Sequence, residues 1–205
     1  MNYSLFGPAD GIQEIVVPEA DVKFWDRMPL REDLDYLLSC FINEIPWRIE
    51  KVKVWGKEHN QPRLTAWYGD IGREYAYSGV KLSPLPWNDT LLSIKDQIET
   101  QTALHFNSVL LNYYRDNNDC MGFHSDNERE LGPKPPIASL SIGADRRLIF
   151  KNKRGIANDV TVLLQSGSLL LMKGDTQANW KHGIPRESRF CGPRVNLTFR
   201  RILGS

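Results

Sequence analysis

The chain of 205 residues is 41% hydrophobic and 25% charged, with a formal net charge of +1, which is typical of a globular protein with one well-packed domain. No apolar run approaches the ~18 residues of a membrane span, and the first residues lack the basic start and apolar core of a secretory signal. The three cysteines are far apart and predict neither a disulfide framework nor a zinc site. We therefore expect an intracellular, monomeric protein with no membrane segment.

Two helices are predicted in the first half of the chain. In residues 31–45, "REDLDYLLSCFINEI", apolar residues recur at helical spacing behind an acidic first turn. Residues 88–100, "NDTLLSIKDQIET", carry a weaker apolar stripe, with Asn88 or Asp89 as a plausible N-cap. Both patterns indicate amphipathic helices that pack on an apolar surface.

Short β-rich runs replace the helical pattern after Leu104. They are "FNSVLLNYYR", "PIASLSIG", "RRLIFK", "VTVLLQ", "SLLLM" and "VNLTFRRI", separated by turn clusters. This spacing is typical of a sandwich or jelly roll. We predict a mostly β fold with flanking helices and a double-stranded β-helix (jelly-roll) core, in a single domain over 1–205. Residues 1–100 supply the N-terminal helices and further segments, and residues 104–203 supply the core.

Positive charge is concentrated near the C-terminus. From Arg146 to Arg201 there are twelve Lys and Arg residues against three acidic ones. This asymmetry predicts a basic face, although a solvated charged surface explains the count equally well.

A candidate metal site begins in "MGFHSDNERE". In an extended segment His124 and Asp126 point the same way and offer two ligands to one ion, although an H-x-D pair also arises by chance. His182, in "NWKHGIP", follows a predicted strand and precedes a glycine turn, so it can supply a third ligand. Two histidines and one carboxylate form the facial triad of non-haem Fe(II) oxygenases. The two other histidines, His59 and His105, are assigned to the surface or to structural roles.

A second constellation lies in the strand "RVNLTFR". One face is apolar, with Val195, Leu197 and Phe199, and the other carries Arg194, Asn196, Thr198 and Arg200. If the polar face points into the core, its guanidinium groups require a buried anion, and a dicarboxylate fits two of them. On an earlier strand, Asn112 and Tyr114 add an amide and a phenol to the same kind of pocket. The alternative is a basic edge strand exposed to water.

The order N-x-Y, H-x-D, H and R-x-N-x-T-x-R resembles the AlkB dioxygenases. From about Val52 onward, the stretches "YGDIGREYAYSG", "LSPLPW", "HSDNERELGPKPPIAS" and "GPRVNLTFRRI" are similar to the subgroup that acts on double-stranded DNA. The resemblance implies a DNA repair enzyme that uses Fe(II), 2-oxoglutarate and O₂. Such an enzyme removes N-alkyl groups from bases such as 1-methyladenine and 3-methylcytosine and releases formaldehyde.

Carried over position by position, the resemblance implies that His124, Asp126 and His182 hold the iron. It also implies a 2-oxoglutarate site, supported by Asn196 and formed by Asn112, Tyr114, Arg194, Thr198 and Arg200. The same chemistry on RNA or on a protein side chain is an alternative, and so is a non-catalytic jelly-roll module that retains a metal site.

The resemblance further implies contacts with DNA in the first hundred residues, because a base in a duplex must be flipped out to reach a buried metal. In "KVKVWGK", Trp55 is out of phase with Val52 and Val54 and stands among lysines. Trp55, Gly56 and Lys57 match the family's apolar finger followed by Gly-Lys, although tryptophan is larger than the usual finger. A tryptophan that caps the core is the alternative.

Two further pairs would contact the flipped base. Tyr75 and Tyr77 share one face of a segment that lies over the base in the family, although tyrosines are also ordinary in β-segments. Asn127 and Glu128 fall where family members contact the base edge or its neighbours. The expected partner is therefore double-stranded DNA with an alkylated base flipped out. The expected location is the bacterial cytoplasm and nucleoid or the eukaryotic nucleus.

Overall fold

The computed structural model describes residues 12–54, 57–72, 75–77 and 80–203. The helices are α1 (Leu34–Glu44), α2 (Asp89–Thr102) and α3 (Thr176–Asn179), and a 3₁₀ turn spans Arg129–Leu131. The strands, in chain order, are β1 (Ile12–Glu14), β2 (Asp21–Trp25), β3 (Lys51–Val54), β4 (Lys57–Asn60), β5 (Leu64–Gly69), β6 (Tyr75–Tyr77), β7 (Val80–Leu82), β8 (Ser108–Tyr114), β9 (Met121–His124), β10 (Ile137–Gly143), β11 (Arg146–Asn152), β12 (Val160–Leu164), β13 (Leu169–Lys173), β14 (Trp180–Ile184) and β15 (Arg194–Arg200).

Two antiparallel sheets form the core among the described residues. The large sheet has the strand order β1-β2-β13-β10-β15-β8-β5, and the small sheet has the order β12-β11-β14-β9. Side chains of both sheets, such as Ile137 and Leu170 of the large one and Leu148 and Phe150 of the small one, share an apolar cluster. The predicted jelly-roll fold class is confirmed. The N-terminal region also adds β1, β2 and β5 to the large sheet.

Both predicted helices are present and begin at polar caps. The Asp33 side chain accepts hydrogen bonds from the first turn of α1, and Asn88 accepts one from the amide of Leu91 in α2. Leu37 of α1 and Ile94 of α2 share an apolar cluster with Leu197 of β15. The helices therefore cover the outer face of the large sheet, and no described helix is long and apolar enough to span a membrane.

The alternation of β15 is the feature that builds the site. Because its apolar residues pack with the helices, its polar residues point between the sheets. In the register of β15 and β8, Arg194 lies beside Tyr114 and Asn196 beside Asn112. The predicted inward polar wall is therefore present, and the alternative of an exposed edge strand is wrong, because β15 is paired on both sides by β10 and β8.

His182 lies differently from its predicted position. The sequence predicts a side chain that projects from the end of a strand, whereas the structure places His182 in the middle of β14, opposite His124 of β9. Tertiary pairing explains the difference, because the short run "WKHGI" gains its partners from β11 and β9 rather than from local propensity.

Candidate active site

His124, Asp126 and His182 meet at one edge of the space between the sheets. Their ligand atoms all lie within 4.8 Å of one another. The Nε2 atom of His124 is 3.8 Å from Oδ1 of Asp126, and that of His182 is 3.6 Å from Oδ2. Asp126 and His182 are buried, and His124 is partly exposed. Two imidazoles and one carboxylate at this spacing can hold a divalent transition metal and leave further coordination positions open.

Neighbouring groups orient these three side chains. Because a carbonyl can only accept, Nδ1 of His124 donates to Gly122 at 3.0 Å and Nε2 is left for a metal. The amide of Asp126 donates to Oε1 of Gln177 at 2.9 Å in a buried contact. Ser125, between the two ligands, donates its hydroxyl to the carbonyl of Trp180 at 2.8 Å. The segment after β9 is therefore attached to α3 and β14.

The electrostatics of Asp126 and His182 favour the binding of a cation. Burial alone raises the pKa of Asp126, but Arg200 and the two histidines more than offset it, so the pKa lies below its ordinary value. Burial lowers the pKa of His182 to about 4, because desolvation disfavours the charged imidazolium. Near neutral pH the site therefore offers a carboxylate and a neutral imidazole, which are the forms that bind metals.

Arg194 forms the inner end of the cavity. It is 1% exposed, and its Nη2 donates to Oγ of Ser141 at 2.9 Å. Among the described residues, its Nε and Nη1 atoms have no hydrogen-bond partner. Burial lowers the pKa of Arg194 to about 10, because a desolvated cation is disfavoured. A carboxylate bound here would satisfy both free donors and restore the charge balance.

Asn196 and Thr198, on the inward polar face of β15, form hydrogen bonds with neighbouring residues of the large sheet. The Nδ2 atom of Asn196 donates to Ser139 at 2.8 Å and to the carbonyl of Leu140 at 2.9 Å. Its Oδ1 atom accepts from the hydroxyl of Thr198 at 2.9 Å. Asn196 therefore uses its amide within the wall, as a supporting residue would.

Arg200 lies at the metal end of the cavity. Its Nη2 atom donates to Oδ1 of Asp126 at 2.5 Å. The sequence pattern suggested that Arg194 and Arg200 act as an equivalent pair toward one dicarboxylate. In the structure Arg200 contacts a metal-ligand candidate, whereas Arg194 lies against the Ser141 hydroxyl and the side chain of Tyr114.

Tyr114 and Asn112 also have different neighbours, although the sequence pattern placed them in one pocket. The ring of Tyr114 lies 5.0 Å from the Arg194 guanidinium, and its hydroxyl lies 3.9 Å from Sδ of Met121, which is a weak contact. The Oδ1 atom of Asn112 accepts from Nε of the buried Arg63 at 2.7 Å. The cavity is lined by Tyr114, Met121, His124, Asp126, Ser139, Leu148, Leu164, Met172, His182, Gly183, Ile184, Arg194, Asn196, Thr198 and Arg200. It connects the metal triad with Arg194.

Sequence reasoning missed several residues that complete the site. Ser139 and Ser141 alternate within the otherwise apolar "PIASLSIG", and this period of two was the available signal. Gln177, Arg63 and Arg146 gave no local signal, because their hydrogen-bond partners are distant in the sequence. His59 and His105 are exposed, in agreement with the surface role expected for them.

The predicted DNA contacts are only partly described. Trp55 and Gly56 lie outside the described residues, and so do the side chains of Lys57, Tyr75 and Tyr77. Asn127 is exposed and Glu128 is partly buried, and both directly follow Asp126. The Oε2 atom of Glu128 has no hydrogen-bond partner among the described residues. These assignments stay predictions.

Comparisons with known proteins show the family of the chain and a shared fold. The profile of the 2OG-Fe(II) oxygenase superfamily matches residues 26–200. The chain belongs to this superfamily and, within it, to the AlkB dioxygenases. The expected dependence on Fe(II), 2-oxoglutarate and O₂ is thereby confirmed.

Individual relatives are similar to this chain over most of its length. The DNA oxidative demethylase ALKBH2 of Mus musculus is 45% identical over 192 residues, which cover 90% of this chain and 76% of that protein. The alpha-ketoglutarate-dependent dioxygenase alkB homolog 3 of Mus musculus is 39% identical over 205 residues, covering 94% of this chain and 71% of that protein. The solved structure of OsALKBH1 aligns with a TM-score of 0.60 at 16% identity, covering 93% of this chain and 99% of that one, and it supports the fold alone.

Proposed function

We propose that this protein is a DNA oxidative demethylase. The observation that carries the proposal is a single cavity with a two-histidine, one-carboxylate triad at one end and a buried arginine at the other. The donors of Arg194 lack an acceptor among the described residues. A module that only binds a metal does not need a buried arginine in its cavity, whereas binding of a dicarboxylate co-substrate does require one.

Each group in the cavity has a defined task in this proposal. His124, Asp126 and His182 hold Fe(II), and the donors of Arg194 bind the distal carboxylate of 2-oxoglutarate. Bound Fe(II), with 2-oxoglutarate and O₂, supplies the oxidation of an N-alkyl carbon, with succinate and CO₂ as co-products. Arg200 keeps the Asp126 carboxylate ionised and oriented. The hydroxylated alkyl group then leaves the base as formaldehyde.

DNA is the proposed substrate, since the relatives include proteins named as DNA oxidative demethylases. Exposed basic residues of the C-terminal region support an anionic partner. They are Arg147, Lys151, Lys153, Arg154, Lys181, Arg186, Arg189 and Arg201. We further propose a duplex substrate with a flipped 1-methyladenine or 3-methylcytosine, an enzyme that acts as a monomer, and a location where DNA is found, the nucleus in a eukaryote.

Turnover on defined oligonucleotides tests the proposal. Protein loaded with Fe(II) without oxygen is given O₂, 2-oxoglutarate and methylated DNA, with RNA of the same sequence and a methylated peptide as separate arms. We expect succinate and formaldehyde in equal amounts with methylated DNA, and little formaldehyde with unmethylated DNA. Formaldehyde from the RNA or peptide arm alone would replace DNA as the substrate, and no succinate in any arm would leave only a binding module.

A further inference from the structure

Arg146 is a second buried arginine at the inner end of the two sheets. It begins β11 of the small sheet and is 1% exposed. Its guanidinium donates to the backbone carbonyls of Asp116, Asp119 and Pro185, at 3.3, 2.7 and 2.7 Å. These carbonyls follow β8 and β14, so Arg146 connects segments from both sheets. A buried cation is unfavourable unless such contacts compensate for its desolvation.

The guanidinium of Arg146 also stacks on a residue of the cavity. It lies 5.2 Å from the centre of the Tyr114 ring, and that of Arg194 lies 5.0 Å from the same centre. Of the described residues, those that line the cavity include Tyr114 and Arg194 but not Arg146. Arg146 therefore supports the Tyr114 ring from outside the cavity, in a buried place where a cation–π contact is stronger than at an exposed one.

The ring contacts help to fix how Tyr114 points, in addition to the interaction of its side chain with Arg194 and the weak contact of its hydroxyl with the Met121 sulfur at 3.9 Å. In β15 and β8, Tyr114 is the register neighbour of Arg194, so any rotation of the ring moves the surface beside the free guanidinium donors. Arg194 and Tyr114 together form the wall that a distal carboxylate would meet.

We infer that Arg146 is a positioning residue for the dicarboxylate co-substrate: it holds Tyr114 against Arg194 and so shapes the subsite for the carboxylate far from the metal. This inference rests on the function proposed above. It requires the planar guanidinium and not only its charge. A lysine ammonium cannot bind carbonyls from two loops in a fixed fork and at the same time present a flat face to a ring.

The test measures ligand binding without turnover. Protein loaded with Mn(II) is titrated with N-oxalylglycine, which has a distal carboxylate, and with oxalate, which lacks one. The variants are Arg146→Lys and Arg146→Met. The control is Arg147→Met, which changes the next residue of β11, half exposed and paired with Glu187 at 2.7 Å. We expect Arg146→Lys to raise the Kd of N-oxalylglycine about tenfold and to leave the Kd of oxalate and of Mn(II) unchanged, while Arg147→Met changes none of them.

Turnover supplies a second measurement. The same Arg146→Lys protein should show a raised KM for 2-oxoglutarate, with an unchanged KM for DNA and a kcat that recovers at saturating co-substrate. An unchanged Kd for N-oxalylglycine, or an equal loss for oxalate, would overturn the inference. Failure of both Arg146 variants to fold would also overturn it, by assigning the residue to stability alone. Wild-type protein that does not bind N-oxalylglycine would contradict the proposed function itself, which is a separate result.

Discussion

At the metal end of the cavity the Asp126 carboxylate accepts from Arg200 and lies between two imidazoles, whereas at the inner end the Arg194 guanidinium lies against the Ser141 hydroxyl and the Tyr114 ring. Both arginines belong to β15, on the same face and six residues apart. The difference comes entirely from the strands that surround them. A shared face therefore defines a common cavity but not a common role.

Charge explains what each end can accept. The metal end contains one carboxylate, one guanidinium and two imidazoles, of which that of His182 is kept neutral near pH 7 by burial, so a cation can join it beside the Asp126 carboxylate. The inner end has buried positive charge and free donors among the described residues. One cavity thus favours a cation at one end and an anion at the other, and substitutions at the two ends should have different consequences.

The largest effect is expected for Asp126→Ala. The change removes the only carboxylate of the triad and the ion pair that it makes with Arg200. Turnover on methylated DNA should be abolished, because the metal is weakly held by two imidazoles alone. Succinate formation and Mn(II) titration measure this effect, with the exposed Asp175→Ala as a control that removes a surface ion pair to Lys134. Near-normal succinate production by Asp126→Ala would show that the triad is not the metal site.

The difference between the metal end and the inner end of the cavity is tested by measuring Arg194→Ala and Arg200→Ala in parallel. Arg194→Ala should weaken 2-oxoglutarate by the ~2–5 kcal/mol typical of truncating a buried charge pair, with Mn(II) affinity unchanged. Arg200→Ala should weaken both ligands, because Asp126 loses the cation that orients it. Titrations of each variant with Mn(II) and N-oxalylglycine give the two affinities. If both variants lose co-substrate affinity alone, the two ends do not differ as the structure indicates.

A smaller effect is expected at Gln177, which touches only the backbone of a ligand. Its Oε1 atom accepts from the Asp126 amide at 2.9 Å, and Gln177 is 2% exposed. Gln177→Leu removes that acceptor and should weaken metal binding by about 10-fold, the low end for groups that orient metal ligands. Gln177→Glu retains an acceptor and should recover most of the affinity in the same Mn(II) titration. Equal losses in both variants would indicate that packing around α3, and not this hydrogen bond, is responsible.

The sequence predicted the parts of this molecule that depend on local periodicity. An acidic first turn, one N-cap and two apolar stripes predicted α1 and α2, and strict alternation predicted the two faces of β15. The position of His182 inside β14 and the pairing of Arg200 with Asp126 were not predictable in this way. Both depend on partners more than 50 residues away, and single-sequence patterns do not report which strands become neighbours.

The smallest and most selective effect is expected at Trp55. In the chain Trp55 follows β3 and precedes β4, and it lies outside the described residues. Its sequence phase places it with lysines rather than with Val52 and Val54. If the indole fills the gap left by a flipped base, Trp55→Ala should lower demethylation of a duplex and leave a single strand almost unaffected, since no stack must be opened there. Both ends of the cavity should stay intact, so Mn(II) and N-oxalylglycine should bind as in the wild type.

The Trp55 measurement is a pair of demethylation rates on one methylated oligonucleotide, alone and annealed to its complement, for wild type and variant, with a melting curve as control. Trp47→Phe is a matched comparison, because Trp47 is another tryptophan near β3, and its ring packs at a 43° tilt, 5.3 Å from that of Tyr113, on the helix-covered side of the large sheet. That change should lower the melting temperature and affect both substrates alike. The same pattern in Trp55→Ala would make Trp55 a packing residue, and selectivity for duplex DNA would then need another source. A loss of activity confined to the duplex, at an unchanged melting temperature, would show that Trp55 contributes to the use of duplex DNA and not to the oxidation in the cavity.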